Sequence, residues 1–232
     1  YQLLVNYYTS TTQMSKMQWI PLESNPEFMY DLGVNKKWQF VDVYGLDSSF
    51  LDSVPRPVLA IVLLYPMGPS IEANPLGEPV QNEQLVFIKQ TIHNACGTVA
   101  LLHAIANNAD RLEFTDRSLI DDLIRQFRDA TPAERGLMLE KEERLSSLHD
   151  SSASRGQTEP ASPSSRTNLH FITFIEKQGG LYEMDGRKDS PVFHCNTTKA
   201  TFLEDCCAIV KKFMSLDPEN LNFSVIALCG AS

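Results

Sequence analysis

The 232-residue sequence predicts an α+β domain, and three observations carry that prediction. Helical signals concentrate before Leu148. Strand-length apolar runs flank Gly179-Gly180, as in an antiparallel hairpin, and a further strand closes the chain at Asn222–Cys229. Val58–Tyr65 is continuously apolar over a strand's length, the pattern of a central strand buried on both faces.

The elements follow in order. Pro21 to Asn25 reads as an extended lead-in. Asn25 caps a short helix with Pro26 at its first position, ending near Gly33. Trp38–Tyr44 alternates apolar and polar residues as a half-buried strand. Pro66–Glu83 is rich in Pro, Gly and Asn and reads as loop. Ala95–Asn107 is apolar on more than one face, hence a buried helix. A second helix runs from Asp116 or Ser118 to about Arg128. Thr131-Pro132-Ala133-Glu134 has the form of a capping box and opens a charged helix to about Leu148. Ser146–Asn168 holds eight Ser, two Thr, two Pro and one Gly, and reads as a mobile loop. Leu169–Glu176 and Leu181–Met184 form the hairpin, and Ala200–Met214 is helical.

Composition narrows the function. A 43% hydrophobic chain can bury one sizeable core, and a net charge of −9 disfavours nonspecific nucleic-acid or anionic-membrane binding. No apolar run reaches the roughly 20 residues that span a bilayer. Cys96, Cys195, Cys206, Cys207 and Cys229 are odd in number and lack CxxC spacing, so reduced thiols in the cytoplasm or nucleus are expected, without zinc or disulfides. Residues 1–16 lack a basic n-region and a long apolar stretch and are left outside the fold, with the domain at 17–232.

Gln90-Thr-Ile-His-Asn-Ala-Cys96-Gly-Thr is the run with chemistry in it. A cysteine opening a helix feels the positive end of the macrodipole and free backbone N–H groups, which favour the thiolate. Gln90, six residues upstream, can donate to an oxyanion beside the sulfur. Acyl transfer further needs a base and a group that orients it. His170 begins a strand at a possible cleft edge, and hairpin pairing folds Asp185 back toward it. The order Cys, His, acid is that of papain-like enzymes. On residues alone alternatives stay open. His170 also reads as a satisfied strand residue, Asp185 before Gly186 as a turn residue, Asp42 as a solvated strand residue. His93 is a competing partner for the sulfur. His103 is expected to face the core or a polar partner, His149 to be solvated beside the loop, and His194 to support a turn. The other four cysteines read as inert apolar filler.

The sequence resembles the ubiquitin C-terminal hydrolases, most closely the short single-domain members. The matching stretches are WIPLESNPE at Trp19–Glu27, WQFVDVYG at Trp38–Gly45, VPRP at Val54–Pro57 and KQTIHNACGT at Lys89–Thr98. To these are added AIANN at Ala104–Asn108, GQTE at Gly156–Glu159, LHF at Leu169–Phe171, LYEMDGRK at Leu181–Lys188 and KKFM at Lys211–Met214. The resemblance implies a papain-like, two-lobed α+β domain with a central antiparallel sheet flanked by helices and a crossover loop at about 146–168. It implies Cys96 as nucleophile, His170 as general base and acid, Asp185 as its orienter and Gln90 as oxyanion donor, with no cofactor. The activity implied is hydrolysis of small or flexible adducts at the C-terminal glycine of ubiquitin, with a protein that holds monomeric ubiquitin, or a hydrolase of a ubiquitin-like modifier, as alternatives.

Ubiquitin contacts map by the same resemblance onto three stretches. They are Pro21, Leu22, Glu23, Ser24, Asn25 and Pro26; Ala153, Ser154, Arg155, Gly156, Gln157, Thr158, Glu159 and Pro160; and Asn220, Leu221, Asn222, Phe223, Ser224 and Val225. Asp42 is a candidate partner for the arginines of the ubiquitin tail. A monomer that acts alone is expected. The chain departs from the family in a short first helix, a short 66–83 segment, Arg155 where an acidic residue is common, and Cys195 where glycine is common, which suggests an altered turn.

Overall fold

The computed structural model describes residues 18–21, 27–155 and 168–230. Among the described residues seven strands form one sheet in which all paired neighbours are antiparallel: β1 (Trp38–Asp42), β2 (Val58–Pro66), β3 (Glu78–Pro79), β4 (Leu169–Lys177), β5 (Gly180–Met184), β6 (Val192–Asn196) and β7 (Ser224–Gly230), in spatial order β1-β7-β2-β4-β5-β6-β3. β2 lies between β7 and β4 and is covered on both faces. Ala60 and Val62 enter one core, Ile61 and Leu63 the other. This is why the run is continuously apolar and does not alternate.

Helices cover the two faces. α4 (Cys96–Ala106) lies across β4 and β2, with α1 (Phe28–Leu32), α5 (Leu119–Phe127), α6 (Pro132–Lys141) and α7 (Glu143–Ser154) on its side of the sheet. α8 (Phe202–Leu216) and α2 (Ser48–Leu51) cover the other face, and α3 (Pro69–Ala73) packs on α8. Every α4 residue after Cys96 is buried, so helix and sheet must satisfy each other's polar groups. Thr173 Oγ1 donates to the Ala100 carbonyl at 2.6 Å, and Asn108 Nδ2 reaches the Leu59 carbonyl at 3.1 Å. None of the described helices is long and apolar enough to cross a membrane.

The helix caps follow the sequence. Ser118 accepts the Asp121 N–H, and Thr131 and Glu134 form both halves of the capping box. Gly33 ends α1 at φ 105°, where a Cβ would stand 2.2 Å from Ser118 Cβ, so only glycine fits. Asn25 and Pro26, the expected cap and first residue of α1, lie outside the described residues.

Four expectations are corrected. The charged helix breaks at Glu142, whose side chain caps the Arg144 N–H and starts α7. The serine-rich stretch expected as loop from Ser146 is helical to Ser154. Leu145, His149, Ser152 and Ala153 are buried at helical spacing, a face hidden because two of its members are polar. Pro66–Glu83 contains α3 and β3 rather than loop alone. β6 was not anticipated, and it places His194 and Cys195 in a strand rather than a turn. The polarity of His194 is met across strands by Glu183, at 2.9 Å.

His149 is also corrected, from solvated to fully buried. Its Nε2 bonds the Ile20 carbonyl at 2.7 Å and its Nδ1 bonds Thr98 Oγ1 at 2.8 Å, against the ring of Trp19. His103 is buried as expected. Its Nε2 accepts the Ile88 N–H at 2.9 Å. Burial lowers both imidazoles, His103 to about 4. Between about 6.5 and about 4 the unfolded chain therefore binds protons that the folded chain refuses, and stability falls as pH drops through that window. Thermal unfolding at neutral pH and at about pH 5 should show a lower midpoint in acid, and the drop should shrink in His103→Phe.

Candidate active site

The turn before α4 leaves the first amides of the helix without intrahelical partners. Asn94 takes a left-handed conformation (φ 62°) and its side chain bonds the Trp19 carbonyl at 3.1 Å. Ala95, at the N-cap, has no side-chain acceptor, and the first intrahelical bond runs from Val99 N–H to the Ala95 carbonyl. The amides of Cys96, Gly97 and Thr98 thus precede the helix's own hydrogen-bond ladder. Cys96 is half-buried at this end.

His170 reaches the sulfur from the sheet. It is the second residue of β4, directly opposite Tyr65 of β2, whose ring meets the imidazole edge-on at 5.9 Å. The register Thr173↔Met184 puts the next residue of the hairpin, Asp185, diagonal to His170 on one face. Asp185 Oδ1 then bonds His170 Nε2 at 2.7 Å, with both side chains buried. The backbone N–H of Arg187 donates to the same oxygen at 2.9 Å. His170 is left to hydrogen-bond Cys96 through Nδ1.

The electrostatics of the three groups are mutual. Burial pushes the Cys96 thiol up, but the hydrogen bond and charge of His170, with the N–H groups of Phe171 and Gly97 at the sulfur, bring it below the usual thiol value. Burial disfavours the imidazolium of His170, yet the bonds to Asp185 and Cys96 overcome this and raise it to about 9. Burial likewise opposes the Asp185 carboxylate, and His170, the Arg187 N–H and Lys188 outweigh it. These shifts all favour a thiolate–imidazolium pair with a carboxylate behind it. By contrast Cys206, Cys207 and Cys229 are buried, and with half-buried Cys195 all four thiols are raised, chiefly by desolvation.

Gln90 is buried beside this group. Its Nε2 donates to the Ile92 carbonyl at 3.0 Å, and its Oε1 has no partner among the described residues. One amide hydrogen remains for an oxyanion. His93, the competing partner, joins the edge of the fold through its backbone, which pairs with Gln18 and accepts the Trp19 N–H.

The contact stretches separate. Asp42, Phe223, Ser224 and Val225 line one open cavity of about 560 Å³ with Tyr44 and Met214, and Tyr44 and Leu221 are 85% and 84% exposed. Asn220 and Asn222, just before Phe223 in the chain, bond each other, Asn220 Oδ1 accepting from Asn222. Ala153 is a correction. It is buried in the core because it falls on the inner face of α7. Ser154 donates to its own helix at the Asp150 carbonyl, and Arg155 pairs with Asp31 of α1. Pro21 is half-buried; Leu22, Glu23, Ser24, Asn25 and Pro26, and Gly156, Gln157, Thr158, Glu159 and Pro160, lie outside the described residues.

Sequence reasoning missed Tyr65, Lys89 and Gly186, all packed around this group. A second cavity, of about 230 Å³, borders His170 and Asp185 and is lined by Tyr65, Met67, Ile71 and Phe213. None of these residues carries a signal of its own before the sheet register brings them together.

Comparison with known proteins gives a consistent result. The family model described as ubiquitin carboxyl-terminal hydrolase, family 1, matches residues 19–215. A ubiquitin carboxyl-terminal hydrolase of Aplysia californica is 41% identical over 88% of this chain and 99% of its own length. One from Drosophila melanogaster is 39% identical, covering 93% and 99%. Isozyme L1 of Rattus norvegicus is 37% identical, covering 93% and 100%. Among solved structures, the Trichinella spiralis UCH37 catalytic domain bound to ubiquitin vinyl methyl ester has a TM-score of 0.73 at 20% identity, covering 92% of this chain and 96% of that one, and shares the fold.

Proposed function

The chain belongs to family 1 of the ubiquitin carboxyl-terminal hydrolases, and from that premise we propose how its residues divide the work. It is a thiol-dependent deubiquitinase that releases small or flexible adducts from the C-terminal glycine of ubiquitin. The observation that carries the assignment of roles is the hydrogen-bonded series Cys96–His170–Asp185, assembled from a helix N-terminus and a hairpin.

The Cys96 thiolate attacks the carbonyl carbon of the terminal glycine. The developing oxyanion takes the Cys96 backbone N–H and the free amide hydrogen of Gln90. The His170 imidazolium gives its proton to the leaving amine, which departs and leaves a thioester. Neutral His170 then takes a proton from water, which attacks the thioester and restores the thiolate. Asp185 keeps the imidazole oriented and favours its cationic form. Tyr65, a phenol held neutral mainly by burial, packs its ring edge-on against the imidazole.

Ubiquitin is the partner. We place part of its contact surface on the cavity around Asp42 and Phe223–Val225, where an exposed carboxylate at the end of β1 stands beside apolar walls. An arginine-bearing tail suits both features. The protein is proposed to act as a monomer in the cytoplasm or nucleus.

The test is labelling by ubiquitin carrying a C-terminal thiol-reactive group, beside a ubiquitin-like counterpart. Single-site labelling of the parent and none of Cys96→Ala is expected. Tight binding of ubiquitin without labelling would overturn catalysis in favour of a ubiquitin-holding role. Preference for the counterpart would reassign the substrate.

The pair's charge state sets a pH dependence. His170 must enter the cycle protonated, so turnover should fall as pH rises through about 9. The acid limb should lie where the depressed Cys96 thiol takes up its proton. A rate–pH profile on a ubiquitin amide checks both. An alkaline limb near the ordinary imidazole value, about 6.5, would contradict the raised His170.

A further inference from the structure

Lys89 precedes Gln90 and performs no step in the cycle above, yet its ammonium is spent entirely across the site. Its Nζ donates to the Lys188 carbonyl at 3.0 Å, the Arg187 carbonyl at 3.1 Å and Asp189 Oδ1 at 2.7 Å. Three donors meet three acceptors on three consecutive residues. The Lys89 side chain is 15% exposed, while Asp189 is 98% exposed. The pairing with Asp189 is therefore screened by water, and the two carbonyls hold the geometry.

Those carbonyls belong to the turn that aims Asp185. The Arg187 N–H bonds Asp185 Oδ1, and the Lys188 N–H bonds the Asp185 carbonyl at 2.9 Å. The same turn is docked on Gln90, whose N–H donates to the Gly186 carbonyl at 2.8 Å. A Cβ at Gly186 would lie 2.9 Å from Val99 Cγ1 and 3.0 Å from Gln90 Cβ, so glycine permits the approach. Lys89 itself is anchored from behind: its N–H donates to the Pro132 carbonyl at 3.0 Å.

We propose that Lys89 is a positioning residue that locks the oxyanion donor Gln90 and the histidine-orienting Asp185 into one frame, by clamping the 185–189 turn onto the irregular segment before the nucleophile. The inference rests on the hydrolase reading of the site. It differs from a contribution to folding alone because the groups it aligns act only in the chemical step. A misplacement of either group by about 1 Å costs up to about a hundredfold in rate.

The experiment measures kcat and KM for a ubiquitin amide in Lys89→Met and Lys89→Arg, each also combined with Asp185→Ala. Lys89→Met should lower kcat roughly 10- to 100-fold with KM within about twofold, and Lys89→Arg should lose less. In the Asp185→Ala background Lys89→Met should cost clearly less than in the parent, since one of the two groups it positions is gone. The alkaline limb should move down in Lys89→Met, as His170 loses an aligned carboxylate. The other groups that face His170, namely Cys96, Tyr65, Arg187 and Lys188, are unchanged by the substitution. Unchanged kcat, a full-sized loss in the Asp185→Ala background, or a rise in KM alone would overturn the proposal. Should Lys89→Met fail to fold, the Lys89→Arg cycle decides on the same criteria. Absence of turnover in the parent would instead overturn the hydrolase reading, so the two failures are distinct.

Discussion

Cys96→Ala is expected to remove turnover by about 10⁵- to 10⁶-fold, the scale seen when a triad loses its nucleophile, while ubiquitin affinity is retained. The substitution removes one sulfur from a half-buried position at the start of α4, and alanine suits a helix start packed as this one is. It has a second, independent consequence. Two of the influences that raise His170 come from Cys96, its hydrogen bond and its charge. Without them the imidazole should titrate below about 9, held up by Asp185 alone. An imidazole titration by NMR in parent and variant would show the shift. An unchanged value would mean that the thiolate and imidazolium are not coupled and that the mechanism lacks its ion pair.

The second large effect is expected at Gln90. Gln90→Ala should reduce kcat by about 10²–10³-fold, or ~3–4 kcal/mol of barrier, with KM nearly constant, because the lost hydrogen bond is one made to the oxyanion and not to the ground state. The backbone bond from Gln90 N–H to the Gly186 carbonyl survives the change, so the turn bearing Asp185 keeps its seat. The lost side chain leaves only the Ile92 carbonyl without its donor. Gln90 is under-satisfied: its buried Oε1 has no partner among the described residues, and after the Ile92 carbonyl one Nε2–H is left over, which is the group that can meet an oxyanion. Gln90→Glu is the sharper control. It keeps the shape but sets an acceptor, and at neutral pH a charge, beside the thiolate, so it should be at least as damaging. A loss confined to KM would instead make Gln90 a substrate contact.

Much of this molecule could be read from its order of residues. The continuous run of β2, the capping box at Thr131–Glu134, the hairpin at Gly179-Gly180 and the helix opened by Cys96 are local patterns, each set by backbone preference and by the period of apolar positions. Where polar residues occupy interior positions the same reading failed. The second half of α7 looked like loop because His149 and Ser152 stand on its buried face, and β6 was missed because His194 interrupts it. A polar side chain is tolerated inside only when its partner is in place. The partners here, Thr98 and the Ile20 carbonyl for one and Glu183 for the other, are far away in sequence.

The sequence by itself determined which groups could do the chemistry: a cysteine at a helix start with a glutamine upstream, a histidine and an aspartate on a hairpin, and stretches matching one family. The tertiary structure decided which of five histidines faces the sulfur, which carboxylate stands behind it, and that Lys89 and Gly186 bind the oxyanion segment to the turn of Asp185. The reason is that helix and turn signals arise from neighbours along the chain. Alignment of an acid, a base and an oxyanion donor depends on sheet register and on hydrogen bonds between residues about 100 positions apart.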